Sequence, residues 1–129
     1  MTDLETYSGS CHCGAVRFRF KSPVITTGCR CNCSICIRKG SVMSSTYIPP
    51  DDFEELQGKE SLTLYQFGDE DMSHYFCKTC GISPFSVVAR VPATYEGPAK
   101  PGNRRVNLGC IDGLDPLGLE IKLIDGRSL

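Results

Sequence analysis

Cys11-His12-Cys13-Gly14-Ala15-Val16-Arg17-Phe18-Arg19-Phe20-Lys21 joins two cysteines one residue apart to a strict alternation. Val16, Phe18 and Phe20 fall on one side, and Arg17, Arg19 and Lys21 on the other. A period of two is the signature of a half-buried strand. Two cysteines at this spacing cannot bridge each other well, but they suit a shared tetrahedral ion. The stretch therefore reads as a metal-binding turn that feeds a strand.

The rest of the chain repeats both themes. Further strand candidates are 24–29, 42–48, 62–67, 73–76, 85–91, 105–110 and 119–124. Pro49-Pro50-Asp51-Asp52 is a break, and Phe53-Glu54-Glu55-Leu56 after it reads as one helical turn. Residues 33–39 read as a second helical turn. Residues 93–103 hold two prolines, two glycines and no alternation, which predicts a loop. With 129 residues and no dividing linker, the expectation is one mainly β domain over 1–129, its core about 7–124.

Nine cysteines are present. The odd count and the absence of a secretory leader argue against a disulfide framework, and the chain is read as cytoplasmic. Cys11, Cys13, Cys77 and Cys80 make a closed tetrahedral set across the sequence, as structural zinc requires. Cys77-Lys78-Thr79-Cys80-Gly81 has the form of a zinc knuckle. Gly81 and Gly14 stand where such turns call for positive φ. Cys31, Cys33 and Cys36 leave a second zinc with three protein ligands and one open position, the mark of a catalytic site. Cys29 would close that site. In extended chain it lies ~13 Å from Cys33 at ~3.3 Å per residue, so it joins only if the backbone folds back before Cys31. Cys110 has no neighbour in sequence and reads as core.

Charge excludes some functions. The formal net charge is −1, which argues against nucleic acid as partner. No apolar run approaches the ~20 residues that span a bilayer. Residues 6–50 carry six Lys/Arg and no acid, while 51–71 carry eight Asp/Glu and one Lys. The acidic block reads as solvated surface. Of the two histidines, His12 lies between ligands and reads as exposed or beside them. His74 is a strand residue for which a pocket-facing position is the lesser reading. No proton donor is evident.

Gly9-Ser10-Cys11-His12-Cys13-Gly14-Ala15-Val16, Cys31-Asn32-Cys33-Ser34-Ile35-Cys36 and Phe76-Cys77-Lys78-Thr79-Cys80-Gly81 together resemble the glutathione-dependent formaldehyde-activating enzyme family, which includes the centromere-protein-V domain. Arg105-Val106-Asn107-Leu108-Gly109-Cys110 resembles a late strand of that family. The resemblance implies zinc-stapled antiparallel sheets of the kind shared with a zinc-binding chaperone of small GTPases. It implies the same division of the cysteines between two zinc ions. It also implies carbon–sulfur lyase chemistry: reversible addition of glutathione to formaldehyde. Asn32 stands where many members have histidine, and Ile37 where many have a polar residue. For the carboxylates of glutathione, the flanking cations Arg38, then Arg30 and Lys39, are the candidates. The competing expectation is a non-catalytic zinc module that carries a thiol or binds a partner protein. The sequence does not fix the oligomeric state.

Overall fold

The alternation around Phe18 builds the first sheet. In a computed structural model, which describes residues 3–128, β1 (Glu5–Ser10) and β2 (Arg17–Ser22) form an antiparallel hairpin around the first cysteine turn. The chain continues through β3 (Thr27–Cys31), α1 (Ser34–Lys39), β4 (Met43–Ser44), β5 (Phe53–Gln57), β6 (Leu62–Tyr65), β7 (Met72–Cys77), β8 (Phe85–Val88), β9 (Arg104–Val106) and β10 (Glu120–Ile124). Three small sheets result, with strand orders β1-β2-β5, β10-β3-β4 and β6-β7-β8-β9.

Five expectations need correction. Phe53-Glu54-Glu55-Leu56 is not a helical turn but most of β5, which pairs antiparallel with β2. Tertiary context wins there: Phe53 buries its ring, and Glu54 meets Arg19 at 2.9 Å across the ladder. The sheets are not all antiparallel, because β10 pairs parallel with β3, Glu120 opposite Thr27. The strand expected over 24–29 starts only at Thr27, since the backbone turns at Pro23 and Ile25 N–H donates to Tyr7 Oη. The strand expected over 42–48 shrinks to β4 plus an isolated bridge from Ile48 to Arg104. Residues 108–110 leave β9 as a 3₁₀ turn, with Asn107 accepting from Gly109 N–H. β1 was not anticipated.

The sheets meet on phenylalanine. Phe18, Phe20 and Phe53 stack in one layer, and Phe85 from the third sheet meets Phe53 edge-on at 4.9 Å between ring centres. Ile48, Val106, Leu108 and Ile111 complete this core. Cys110 packs at its edge, half-buried, and burial pushes its thiol up to about 12. Among the described residues no helix is long and apolar enough to cross a membrane.

Candidate metal centre and cavity

Two glycine-ended cysteine turns face each other. Gly14 N–H donates to Cys11 C=O, and Gly81 N–H to Cys77 C=O. Gly14 and Gly81 sit at φ 81° and 80°, the left-handed region that glycine enters without penalty. The turns bring Cys11, Cys13, Cys77 and Cys80 together with all four sulfurs within 4.8 Å of one another. Cys13 Sγ lies 3.7 Å from both Cys11 Sγ and Cys77 Sγ. A tetrahedron with Zn–S bonds of ~2.3 Å has edges of ~3.8 Å, so this set fits a zinc ion. Backbone donors support charge on sulfur: Val16 N–H reaches Cys11 Sγ at 3.3 Å. For Cys80, burial alone would raise the thiol, but N–H groups of Cys13 and Ile82 outweigh it and bring it to about 6.

The second cluster is carried by β3 and α1. Cys31 ends the strand, Cys33 caps the helix, and Cys36 stands in its first turn. Their sulfurs also lie within 4.8 Å of one another. Cys33 N–H donates to Cys31 Sγ at 3.4 Å. Cys36 is pushed up to about 12, first by burial and then by its hydrogen-bonded neighbour Cys33. Packed thiols that resist ionising together are the donor set a dication would relieve. Three sulfurs leave one tetrahedral corner free. Cys29 stands apart from this set. It is buried, and its sulfur points to Ser45 Oγ at 3.5 Å.

The three cysteines line a cavity of about 340 Å³, at the lower end of small-molecule sites, ~300–1,000 Å³. Of its polar wall, Lys39 was a candidate from the sequence and a pocket-facing His74 the lesser reading, while Ser86 and Arg105 were not foreseen. His74, Ser86 and Arg105 occupy paired positions on β7, β8 and β9, so they stand in one row. Lys39 reaches from α1 onto that row, donating to His74 Nδ1 at 3.1 Å and Ser86 Oγ at 3.2 Å. Arg105 donates to Ser44 C=O and lies 5.2 Å over the Tyr47 ring. Ile35, Met43, Phe67 and Met72 supply the apolar surface.

The three cations named from sequence separate. Lys39 lines the cavity. Arg38 folds back onto Ser34 C=O at 2.7 Å in its own helix. Arg30 faces a different groove, beside Asn32 and Leu123. His12 is exposed, whereas His74 is buried against the cavity. Arg105 was overlooked because its strand is 61 residues from Ser44, the contact that aims it. On the far side, Asn32 donates to Asp125 Oδ1 at 2.8 Å and accepts from Arg127 N–H at 2.9 Å. This holds Gly126 so close that a Cβ there would overlap Cys31 Sγ.

A crystal structure of a Rhodobacter sphaeroides protein superposes with a TM-score of 0.72 at 32% identity, covering 88% of this chain and 97% of that one. A Halomonas elongata protein, provisionally named a glutathione-dependent formaldehyde-activating enzyme, is 36% identical over 78 residues, 56% of this chain and 50% of its own. The chain thus matches about half the length of that curated relative. The model of the glutathione-dependent formaldehyde-activating enzyme family matches residues 6–120. With the cysteine turns inside that span, the chain belongs to the glutathione-dependent formaldehyde-activating enzyme family.

Proposed function

We propose that this chain is a zinc-dependent protein of carbon–sulfur lyase type that binds a small thiol, glutathione first among candidates, and adds it reversibly to formaldehyde or a similar small electrophile. One observation carries the reading: Cys31, Cys33 and Cys36 are a three-ligand cluster that lines a cavity. In this reading Cys11, Cys13, Cys77 and Cys80 hold a structural zinc, and the three cysteines hold a second. A bound zinc there supplies charge that favours thiolate and polarises a carbonyl. Both clusters need reduced cysteines, which fits the cytoplasm.

The protein's own residues have defined tasks. The cysteine cluster fixes where the thiol sulfur sits. The sulfur–carbon bond forms as the C=O electron pair moves onto oxygen. The proton given up by the thiol returns to that oxygen. Lys39, steadied by His74 and Ser86, is the cavity-wall cation assigned to stabilise the developing negative charge, with Arg105 a second cation in the same wall. Support for this role is its burial: Lys39 is held below the usual lysine range by desolvation, so its charge acts in a poorly screened site.

The test is exchange between glutathione, formaldehyde and their adduct at equilibrium, followed by magnetization-transfer NMR. Exchange should accelerate in proportion to protein, vanish in Cys33→Ser and survive Cys110→Ala. Stoichiometric glutathione binding with an unchanged exchange rate would identify a thiol carrier instead.

A further inference from the structure

Three sulfurs hold a dication only as firmly as they are themselves held, because no fourth protein ligand closes the set. Cys29 does not help, since its sulfur points to Ser45 Oγ. Asn32, between the first two ligands, is bound three times to residues 124–127. Its backbone N–H donates to Ile124 C=O at 3.2 Å, its Nδ2 donates to Asp125 Oδ1 at 2.8 Å, and its Oδ1 accepts from Arg127 N–H at 2.9 Å. A carboxylate only accepts and a backbone N–H only donates, so these partners fix which way the amide faces. Ser128 Oγ donates to the other carboxylate oxygen of Asp125 at 2.7 Å, which closes the turn on itself.

That turn bears on the cluster. A Cβ on Gly126 would overlap Cys31 Sγ and come within 3.2 Å of Cys33 Cβ. Gly126 does not take positive φ, so glycine is required here for space and not for conformation. Cys31 borders both the cavity and a surface groove beside Arg30 and Leu123. Gly126 fills room into which the Cys31 side chain could otherwise turn. Groups that pack on or bond beside metal ligands fix their orientation, and losing one costs ~10–100-fold in metal affinity.

We propose that Asn32 is a positioning residue of the three-cysteine site: it latches residues 125–127 against Cys31, and the latch keeps the sulfurs in place for a metal ion that no fourth protein ligand secures. The inference rests on the reading of Cys31, Cys33 and Cys36 as a metal site. It adds a support built from residues that take no part in lining the cavity.

The experiment uses the full chain loaded with zinc, and competition with a chromophoric zinc chelator reads the affinity of each site. The four-cysteine site is the internal control. Asn32→Ala should weaken the three-cysteine site about tenfold or more and leave the control unchanged. Gly126→Ala should do the same by another route. A free Cys31 can turn its sulfur away from the added methyl, but a metal-bound one cannot without leaving the ion. Asn32→Asp sets a carboxylate against Asp125. Extra negative charge beside a dication would by itself tighten binding, whereas a broken latch weakens it. Adding Asp125→Asn restores a donor–acceptor pair with its direction reversed, and should recover most of the loss. Unchanged affinity in Asn32→Ala and Gly126→Ala, or tighter binding in Asn32→Asp, would overturn the latch and leave the metal site standing. Equal weakening of both sites would overturn it too, because Asn32 would then serve folding in general. A single zinc per wild-type chain, held by the four-cysteine set, would remove the second metal site and the inference with it.

Discussion

Lys39 Nζ lies 3.1 Å from His74 Nδ1, and this pair fixes the imidazole tautomer. An ammonium has only hydrogens to give, so Nδ1 accepts and the ring proton sits on Nε2. Burial, and then the charge of Lys39, push His74 down to about 4.

The first consequence is a specific acid sensitivity. The folded value lies below the ordinary 6.5, so protons favour the unfolded chain. The stability carried by neutral His74 is intact above about pH 6.5 and is lost as pH falls toward 4. At ~1.4 kcal/mol per unit, discounted for solvent screening, the loss is on the order of 2 kcal/mol. Denaturation of metal-saturated protein between pH 7 and 5 should show it, and His74→Asn, which keeps an acceptor for Lys39, should weaken that slope. Equal slopes in both proteins would refute the assignment.

Metal content should be close to two zinc ions per chain, and the two sites should not be equivalent in their effect on folding. Cys77 is fully buried and links β7 to the β1–β2 hairpin through the four-cysteine cluster. Cys77→Ser should unfold or aggregate the chain, because structural zinc binding is largely folding free energy. Cys36→Ser, in a six-residue helix, should leave circular dichroism near wild type. Equal loss of structure in both would dissolve the distinction between the sites.

Thiol affinity should depend on Lys39 rather than Arg38. Lys39→Met is expected to weaken glutathione binding about tenfold, the loss of ~1.4 kcal/mol from one charge-assisted contact. Arg38→Ala should be silent, since its guanidinium is engaged with Ser34 C=O. Calorimetry on both variants at constant zinc content decides the matter; a large effect of Arg38→Ala would reverse the assignment.

Phe85 is the ring on which the sheets converge. It is fully buried and contacts Phe18, Phe53 and Tyr75. Phe85→Ala should cost ~3–5 kcal/mol in chemical denaturation. A loss under 1 kcal/mol would mean that the sheets do not depend on this junction.

The cysteine clusters and the β2 alternation were legible because each is written in a few consecutive residues. Gly14 and Gly81 were equally readable, since the turn demands their conformation locally. β5 was misread because Phe53-Glu54-Glu55-Leu56 has no alternation of its own; it is a strand only because Phe20 and Arg19 stand opposite. The cavity wall was hidden for a related reason. His74, Ser86 and Arg105 share a row only after β7, β8 and β9 pair. Arg38 ranked above Lys39 in sequence, and only the helix decides which of two adjacent side chains turns inward.

The parallel pairing of β10 with β3 also has a meaning for synthesis. Cys31, Cys33 and Cys36 leave the ribosome about ninety residues before Glu120–Ile124 can lie beside β3 and bring Gly126 against Cys31. At ~5–20 residues per second, that is an interval of several seconds. During it the three thiols are exposed together on a nascent chain, open to any thiophilic ion or oxidant. The order of translation therefore leaves this cluster open after the four-cysteine set, complete in sequence at Cys80, can already close.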